Sequence, residues 1–383
     1  MRVIFVTGSL AHGGAERHAI TVMNRLAERG HECHAVYVKD DRPDQADRVR
    51  LRDGGSLRCL GAGRYFDRRA LASFAADISR IRPSAIVAAN TYALMYASLA
   101  LRFSRLRAPL VTTFHSTRLL GAKEQLQMAV YRLFFWSADC LVFVCETQRR
   151  YWLRRGVFSR RNEVIHNGVD TDEFRERSQS GERAMMRYAL GYTDADYVIG
   201  LSALLRTEKN HVQLVDAVAR LRNAGVPAKA LMIGDGEMRR AIEARALDLK
   251  VERHIMITGL QRKVRPFIAA CDVMALCSHT EAFSLAAIEA MALRRPVVHS
   301  DVGGAAEMII PGHNGFLFPA GDTGALVDKL AILADRAVSR RMGGNARAVV
   351  ERRFSEKTMV DRYEQTLLEL CGSRSGARVA VNY

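Results

Sequence analysis

The chain has few of the features that mark disordered or membrane-spanning proteins. Among 383 residues there are only 8 prolines and 2 tryptophans, while 49% of the residues are hydrophobic. No apolar run approaches the roughly 18 residues that a membrane-spanning helix needs. The chain starts directly with the strand-like residues 3–6 and shows neither the apolar core nor the cleavage site of a secretory signal. We therefore expect a folded cytoplasmic protein, with any membrane contact peripheral and on the inner face of the plasma membrane.

The chain has few cysteines, and their spacing is not that of a metal-binding motif. None of the seven cysteines forms a Cys-x-x-Cys pair, and most lie in apolar runs, as Cys140 and Cys145 do around Leu-Val-Phe-Val. This distribution indicates buried thiols in a reducing compartment and argues against a disulfide framework or a zinc site. We expect no essential metal ion and no bound cofactor.

The charge is strongly positive and unevenly distributed. The net charge is +16; residues 1–180 carry 29 Lys and Arg against 18 Asp and Glu, a net +11, and the remainder carries +5. A positive field favours an anionic partner, such as nucleic acid, an acidic membrane surface or a phosphorylated ligand. A genome rich in GC, which favours arginine codons, is the alternative explanation.

Strand and helix patterns alternate along the whole chain, which predicts parallel α/β units. Since 383 residues exceed one typical core, we expect two domains. A polar stretch centred on Ser178–Gly181 predicts a linker, after which the alternation starts again. The predicted organisation is a first domain over 1–175, a linker over 176–190, a second domain over 191–355, a helix over 356–372 that packs back on the first domain, and a tail over 373–383.

Residues 280–292 place two carboxylates around the start of a helix. Glu281 lies in the loop after a strand, Ser284 can cap the following helix, and Glu289 falls inside that helix. The helical neighbours of Glu289 are all apolar, so burying its carboxylate is costly unless a polar group meets it. Sugar or ribose hydroxyls would serve, and the free amides at the helix start suit an anion. A surface ion pair with Arg294 or Arg295 is the alternative.

Two further segments are suited to phosphate. Gly13 and Gly14 allow close backbone approach at the start of a helix. A plain tight turn, or a dinucleotide-binding loop served by Asp40 and Asp41, is the alternative, although the glycine spacing does not fit the dinucleotide fingerprint.

The second phosphate-binding candidate is the segment 206–210. Arg206 and Lys209 precede a helix that Asn210 is predicted to cap, with Gln213 completing a capping box, so their charges would flank a positive helix end. A solvated charge run is the alternative.

Together these motifs resemble the family 4 retaining glycosyltransferases of GT-B fold. The resemblance is strongest in one ordered string: Glu281, Glu289, Ala290-Met291-Ala292, Pro296-Val297-Val298, Gly303-Gly304, Glu307, Gly312 and Gly315. It is supported by Gly13-Gly14-Ala15-Glu16-Arg17, by Gly234-Asp235-Gly236-Glu237 and by Asn167-Gly168-Val169-Asp170. Ala282 and Ser284 stand where the family often has Gly and Pro, so the donor sugar is not identified by the resemblance.

The resemblance implies two Rossmann-like parallel-sheet lobes with a donor cleft between them, and a role for each motif. Glu281 and His115 would contact the donor sugar and Glu289 the ribose. Amides of Phe283, Ser284 and Leu285 would contact sugar and phosphates, Gly234 would lie on the nucleotide side, and Lys209 would clamp the diphosphate. Arg206 is the substitute for a family arginine whose position is Leu204 here.

The implied reaction moves a sugar, with retention, from a UDP- or GDP-linked donor to a hydroxyl of a saccharide or lipid-linked acceptor. No covalent nucleophile is required, because the leaving diphosphate accepts the acceptor proton on the front side. The implied setting is bacterial surface polysaccharide or lipopolysaccharide assembly. The alternatives are a GT-B nucleotide-sugar epimerase and, more remotely, a basic nucleic-acid-binding protein, for which no recognised motif is present.

Two arginine clusters in the first half suit an anionic membrane surface. They consist of Arg102, Arg105 and Arg107, and of Arg149, Arg150, Arg154 and Arg155 around Tyr151 and Trp152. An ordinary solvated face is the alternative.

Overall fold

The computed structural model describes residues 1–11, 13–39, 44–52, 54–116, 122–176 and 181–379. The chain divides into two compact units, one made of Met1–Asn167 with Lys357–Tyr383 and the other of Gly168–Glu356. Residues 168–175, which the sequence assigned to the first domain, belong to the second unit, where Val169 bridges to Ser355. The centre of the predicted linker, residues 178–180, lies outside the described residues.

The first unit is built on a parallel sheet of seven strands within the described residues, in the order β3-β2-β1-β4-β5-β6-β7. Its strands are β1 (Arg2–Thr7), β2 (Glu32–Tyr37), β3 (Ser56–Cys59), β4 (Ala85–Ala89), β5 (Leu110–Phe114), β6 (Cys140–Phe143) and β7 (Arg161–Val164). Its helices are α1 (Gly14–Glu28), α2 (Arg68–Ile81), α3 (Asn90–Ser104), α4 (Ala122–Ser137), α5 (Glu146–Leu153) and α14 (Glu356–Val379).

Alternate side chains of β1 enter two different cores. Ile4 and Val6 lie in the cluster formed with α2 and α3, while Val3 and Phe5 lie in the cluster that contains α1. A strand buried on both faces needs apolar residues throughout, which is why β1 is a continuous apolar run. Tyr363 of α14 is buried in this second cluster, so the C-terminal helix packs on the first unit.

The second unit repeats the architecture with a parallel sheet in the order β10-β9-β8-β11-β12-β13. Its strands are β8 (Tyr197–Ser202), β9 (Ala228–Ile233), β10 (Ile255–Ile257), β11 (Val273–Leu276), β12 (Val297–Ser300) and β13 (Gly315–Phe318). Its helices are α6 (Glu182–Ala189), α7 (His211–Asn223), α8 (Arg239–Asp248), α9 (Arg265–Ala270), α10 (Leu285–Ala292), α11 (Ala305–Met308), α12 (Thr323–Leu333) and α13 (Arg336–Arg353).

Two strands, β3 and β13, were not predicted from the sequence, and a helix, α6, forms where a linker was predicted. β3 and β13 are edge strands of only four residues. β3, with the sequence Ser-Leu-Arg-Cys, is largely exposed and lacks the continuous apolar run that marks a central strand, whereas β13, Gly-Phe-Leu-Phe, is apolar but short. Helix α6 forms within the predicted linker, where Arg183 and Arg187 bind Asp272 of the second unit. None of the seven cysteines, all of them described, forms a disulfide, and five of them are buried.

Candidate active site

In the second unit, the candidate residues collect where the strand order changes direction. β8 is followed by β9 on one side of the sheet, whereas its other neighbour, β11, is followed by β12 on the opposite side. The connections that leave the carboxyl ends of β8 and β11 therefore diverge and open a crevice, the usual ligand position in such sheets. Lys209 lies in the connection after β8, and Glu281 lies in the connection after β11.

Lys209 and Glu281 form an ion pair across this point. The Lys209 ammonium Nζ donates to Glu281 Oε2 at 2.5 Å, and both side chains are about four-fifths shielded from solvent. Ser278 Oγ donates more weakly to the same oxygen, at 3.4 Å. The arrangement holds a cation and an anion side by side, each able to exchange its partner for a ligand group of the matching charge or polarity.

Helix α10 begins at Leu285, four positions after Glu281, and Ser284 is its N-cap. Ser284 Oγ accepts a hydrogen bond from the Ala287 amide at 3.3 Å, which confirms the predicted cap. The first amides of a helix have no partner within it, and the helix dipole makes that end positive. Phe283 and Ser284 are buried and Leu285 is half-buried, so these amides lie at a partly shielded surface next to Glu281.

Glu289 lies in the second turn of α10 and is buried, as the apolar stripe around it predicts. Arg295, one of the two arginines considered as its surface partner, is bonded through Nη2 to Glu176 Oε1 at 2.7 Å. Arg294 ends the helix in a left-handed conformation with φ at 58°. The structure thus gives Glu289 the burial and the helix position that the sequence indicated, and its contact with a ligand hydroxyl stays a prediction.

The Gly303-Gly304 pair sets the position of the Glu281 loop. Gly303 has φ at +56°, and a Cβ there would collide with the carbonyl oxygen of Glu281. The Gly304 amide donates to the Ala282 carbonyl at 2.8 Å. The two glycines therefore let the loop after β12 lie directly against the loop that carries Glu281.

Gly234 has the same packing role in the loop after β9. A Cβ on Gly234 would meet the carbonyl oxygen of Ala203, and Leu205 exchanges backbone hydrogen bonds with this loop through Asp235 and Met238. The loop leading to Lys209 is thereby fixed from the β9 side. Gly234 thus packs against the loop after β8, and its place on the nucleotide side stays a prediction.

Arg206 is more exposed than Lys209. Its side chain is 55% exposed and approaches Glu208 at 3.9 Å, a weak surface contact. The predicted capping box at Asn210 does not form: Asn210 adopts a left-handed conformation and its amide donates to the Gln213 side chain at 2.9 Å instead of capping a backbone amide.

His299 is a further candidate that the sequence analysis missed. It is the last residue but one of β12, is fully buried, and its Nδ1 donates to the Ser300 carbonyl at 2.7 Å. That bond leaves Nε2 as an acceptor, and Nε2 has no hydrogen-bond partner among the described residues. Burial lowers the pKa of His299, while the nearby Glu281 carboxylate raises it and Lys209 lowers it. A histidine within a predicted strand, flanked by valines and serine, was the available signal.

The first unit has its own change of strand direction between β1 and β4. Gly13 precedes α1 in an extended conformation, and Gly14 is the exposed first residue of that helix after β1. His115 follows β5, and its backbone amide donates to Asn90 Oδ1 at 3.1 Å. The predicted glycines and His115 thus belong to loops at the same edge of this sheet.

The half-buried His115 packs edge to face on the buried His18, with 4.9 Å between ring centroids. His18 Nε2 is 2.9 Å from the Tyr363 hydroxyl of α14. Burial lowers the pKa of His115 to about 4 and holds the pKa of His18 well below its usual value. Both imidazoles are therefore neutral near pH 7, and His115 Nε2 has no partner among the described residues.

Comparison with known proteins identifies the chain. A family model described as Glycosyltransferase Family 4 matches residues 12–173, and one described as Glycosyl transferases group 1 matches residues 186–349. The chain belongs to the family 4 glycosyltransferases. It is a retaining enzyme that uses a nucleotide-activated sugar, as the ordered motif string predicted.

Relatives of this glycosyltransferase match over nearly their whole length. The N-acetyl-alpha-D-glucosaminyl L-malate synthase of Bacillus anthracis is 26% identical over 363 residues, which covers 92% of this chain and 93% of the relative. The lipopolysaccharide core biosynthesis glycosyltransferase LpsE of Rhizobium meliloti is 27% identical over 367 residues, covering 93% and 96%. Anabaena Alr3699/HepE, solved in complex with UDP, superposes with a TM-score of 0.85 at 21% identity, over 96% of this chain and all of that one. The predicted GT-B fold of two parallel-sheet lobes is confirmed.

Several other predictions can be located in this glycosyltransferase. The turn at Gly168 is structural, because a Cβ on Gly168 would collide with the backbone of Ser355 and Glu356. Asp40 and Asp41, on which the dinucleotide alternative depended, lie outside the described residues. Trp152 is fully buried in the core, and Tyr151 is half-buried beneath the Arg155 guanidinium, so this aromatic pair does not form an exposed surface.

Neither a metal-binding cluster nor a membrane-spanning helix is found among the described residues. Over the part of the chain that the structure describes, no group of three or more His, Cys, Asp or Glu side chains is placed to hold a metal ion. Of the two Asp-x-Asp sequences, at 170–172 and 194–196, the second uses Asp196 to pair with Lys229 at 2.9 Å. Among the described residues, none of the helices combines the length and the apolar composition needed to cross a bilayer.

Proposed function

We propose that a UDP- or GDP-linked sugar binds in the second unit by separating Lys209 from Glu281. The observation that carries this proposal is the 2.5 Å ion pair between them at the change of strand direction. A nucleoside diphosphate sugar offers phosphate oxygens to Lys209 and sugar hydroxyls to Glu281, so each group keeps a charged or hydrogen-bonded partner when the donor binds. The UDP bound to the Anabaena protein favours uridine as the base.

The surrounding residues have assigned roles in this proposal. Amides of Phe283, Ser284 and Leu285, at the positive end of α10, contact the sugar and the diphosphate. Glu289 accepts from ribose hydroxyls, and Gly234 leaves room for the nucleotide. Arg206, which is half-exposed, adds a second positive charge to that of Lys209 near the diphosphate.

Transfer then proceeds with retention on the front side of the sugar. The glycosidic bond to the diphosphate breaks as the acceptor hydroxyl approaches, and a diphosphate oxygen takes the hydroxyl proton. Lys209 and the α10 amides stabilise the charge that develops on the diphosphate, which is usually the largest contribution to rate. The neutral His115 contacts the donor sugar. We propose that this chemistry requires no divalent ion.

The proposed acceptor is a saccharide or lipid-linked saccharide of bacterial surface polysaccharide or lipopolysaccharide, bound by the first unit. The support is the lipopolysaccharide core relative from Rhizobium meliloti, which matches over 96% of its length. The net +11 of residues 1–180 suits an acceptor at an anionic membrane surface, where we propose that the enzyme is peripheral.

A thermal-shift panel of UDP, GDP and their sugars tests the donor proposal, because a ligand that binds only the folded state raises the melting temperature. We expect one base to raise it selectively in the wild type, a smaller rise in Lys209→Met, and an unchanged rise in the exposed control Lys263→Met. Equal rises in both variants would contradict the assignment of Lys209.

The other candidate functions give different results. An epimerase would convert the donor into a free epimer without any acceptor, which product analysis by NMR detects. A nucleic-acid-binding protein would hold oligonucleotides in a salt-sensitive complex that nucleotide sugars do not displace.

A further inference from the structure

Helix α4 has apolar residues on two opposite faces. One face, with Met128, Tyr131 and Phe135, is buried in the core of the first unit. The other face carries Leu126, Val130, Leu133 and Trp136, which are 45–74% exposed. Their spacing of three and four residues places them in one stripe along the helix. A surface helix of a water-soluble protein normally has polar residues on its outer face, so this stripe requires an explanation.

The exposed apolar surface extends beyond the helix. The Trp136 ring lies 5.8 Å from the Phe158 ring, which is also exposed, and Trp136 Nε1 donates to the Gly156 carbonyl at 3.0 Å. We call Leu126, Val130, Leu133, Trp136 and Phe158 the α4 surface. The hydrogen bond and the ring contact hold Trp136 in an outward position, so its exposure is a fixed feature of the fold.

Arginines surround one end of the α4 surface. Helices α3, α4 and α5 each run back between parallel strands, so their C-terminal ends meet at the same edge of the sheet. At this edge lie the exposed residues Phe103, Arg102, Arg105, Arg107, Arg154, Arg155 and Arg160. Arg102, Arg105 and Arg107 form no ion pair with any described residue, whereas Arg149 is bonded to Glu146 at 2.8 Å.

Negative charge is scarce on the same surface. Residues 125–138 contain no Asp or Glu, and the next acidic residue, Asp139, is buried and 3.5 Å from Arg160. An apolar stripe with an unpaired cationic border complements an anionic phospholipid bilayer, because apolar side chains enter the acyl boundary while arginines meet the phosphates. A second copy of the chain would bring arginine against arginine at this border, which charge complementarity disfavours.

We propose that the α4 surface is the element by which this enzyme docks on an anionic bilayer, with Arg102, Arg105 and Arg107 contacting lipid phosphates. The inference deepens the proposed function and rests on it, since a lipid-linked acceptor is presented at a bilayer. It keeps the arginine cluster at 102–107 that the sequence indicated, and it puts α4 in place of the predicted cluster at 149–155, because Trp152 of that cluster lies in the core.

Co-sedimentation of the full chain with vesicles tests the proposal. Vesicles of phosphatidylcholine with about 30% phosphatidylglycerol are compared with pure phosphatidylcholine, and we expect at least about tenfold tighter binding to the anionic vesicles. The double substitution V130S/L133S removes apolar area, and R102Q/R107Q removes charge; each is expected to weaken binding about tenfold. The matched control is L247S/L260S, at two leucines of the second unit that are equally exposed.

Tryptophan fluorescence gives a second measurement on the same samples. The chain has two tryptophans, of which Trp136 is exposed and Trp152 is fully buried. Anionic vesicles should shift the emission to shorter wavelength, because only Trp136 can change its surroundings without unfolding. An emission spectrum that is unchanged at saturating vesicles would overturn the assignment of α4.

Two further outcomes would also overturn it. One is a loss of binding in L247S/L260S as large as in V130S/L133S. The other is a concentration-dependent dimer, measured by analytical ultracentrifugation, that V130S/L133S abolishes while vesicles remain unbound. A rise in the melting temperature of each variant with the nucleoside diphosphate shows that the variant is folded. If the wild type showed no such rise, the proposed donor site would be contradicted, but the vesicle binding could still be interpreted.

Discussion

Lys209 Nζ lies 2.5 Å from Glu281 Oε2, although the two residues are 72 positions apart in the chain. They meet because β8 and β11, which are not consecutive, are neighbours in the sheet. Each side chain thereby neutralises the charge of the other. In the proposed function the donor replaces this interaction, so we expect both residues to be sensitive to substitution.

Removing the carboxylate at 281 should slow transfer. We expect Glu281→Gln to lower kcat/KM about 10²- to 10³-fold, because a neutral amide loses the charged interaction with the donor sugar and leaves Lys209 unpaired. Steady-state kinetics with the donor found by thermal shift measure this. The control is Glu243→Gln, which removes an exposed carboxylate bonded to Arg239. A rate of sugar transfer in Glu281→Ala close to that of the wild type would contradict the assignment of Glu281 to the donor sugar.

Gly303 should tolerate no side chain. In Gly303→Ala the new Cβ would collide with the Glu281 carbonyl, so we expect a loss of more than about 1 kcal/mol in the free energy of unfolding and a lower kcat. Gly312→Ala is a matched control, because Gly312 also has positive φ, at +78°, but its Cβ would meet nothing within 4 Å. Equal effects of the two substitutions on kcat would show that strain, not displacement of Glu281, is responsible.

His299 should act on the donor through Nε2. Asn at this position can reproduce the hydrogen bond that Nδ1 makes to the Ser300 carbonyl but has no group at the Nε2 position. We expect His299→Asn to raise the KM for the donor about tenfold with a melting temperature close to that of the wild type. Isothermal titration with the donor provides an independent value, and the exposed His313→Asn is the control. An unchanged KM would assign His299 a purely structural role.

Acid should destabilise the fold through its buried histidines. Burial, with a smaller contribution from Lys209, lowers the pKa of His211 from 6.5 to about 4, and both ring nitrogens lack a partner among the described residues. The unfolded chain therefore binds the proton first, and the free energy of unfolding falls as pH decreases from about 6.5 to about 4.

The substitution His211→Leu should reduce the loss of unfolding free energy on acidification. For a pKa shift of this size, the loss that His211 causes over its whole titration is about 3 kcal/mol at most. Chemical denaturation at pH 7 and pH 5 measures the difference, with the exposed His313→Leu as control. If the free energy of unfolding changed between pH 7 and pH 5 by the same amount in His211→Leu as in the wild type, the lowered pKa of His211 would be contradicted. His18, His115 and His299 remain in the variant, so part of the acid sensitivity should persist.

The sequence was informative wherever a local pattern dictates the structure. Buried central strands need unbroken apolar runs, and Ser284 at the start of α10 bonds an amide three residues away, so both were predictable. Features that depend on a neighbouring segment were not predictable from the sequence. The predicted cap at Asn210 does not form because the backbone there is left-handed. The edge strands β3 and β13 form by hydrogen bonding to an adjacent strand.

By itself, the sequence determined that this is a two-lobed α/β glycosyltransferase, since strand and helix periodicity and an ordered motif string are local properties of the chain. Only the tertiary structure decided that Lys209 faces Glu281, that His299 lies beside them and that Trp152 is in the core while Trp136 is outside. The reason is that strand order and burial arise from contacts between distant segments, and residue spacing along the chain does not encode which segments become neighbours.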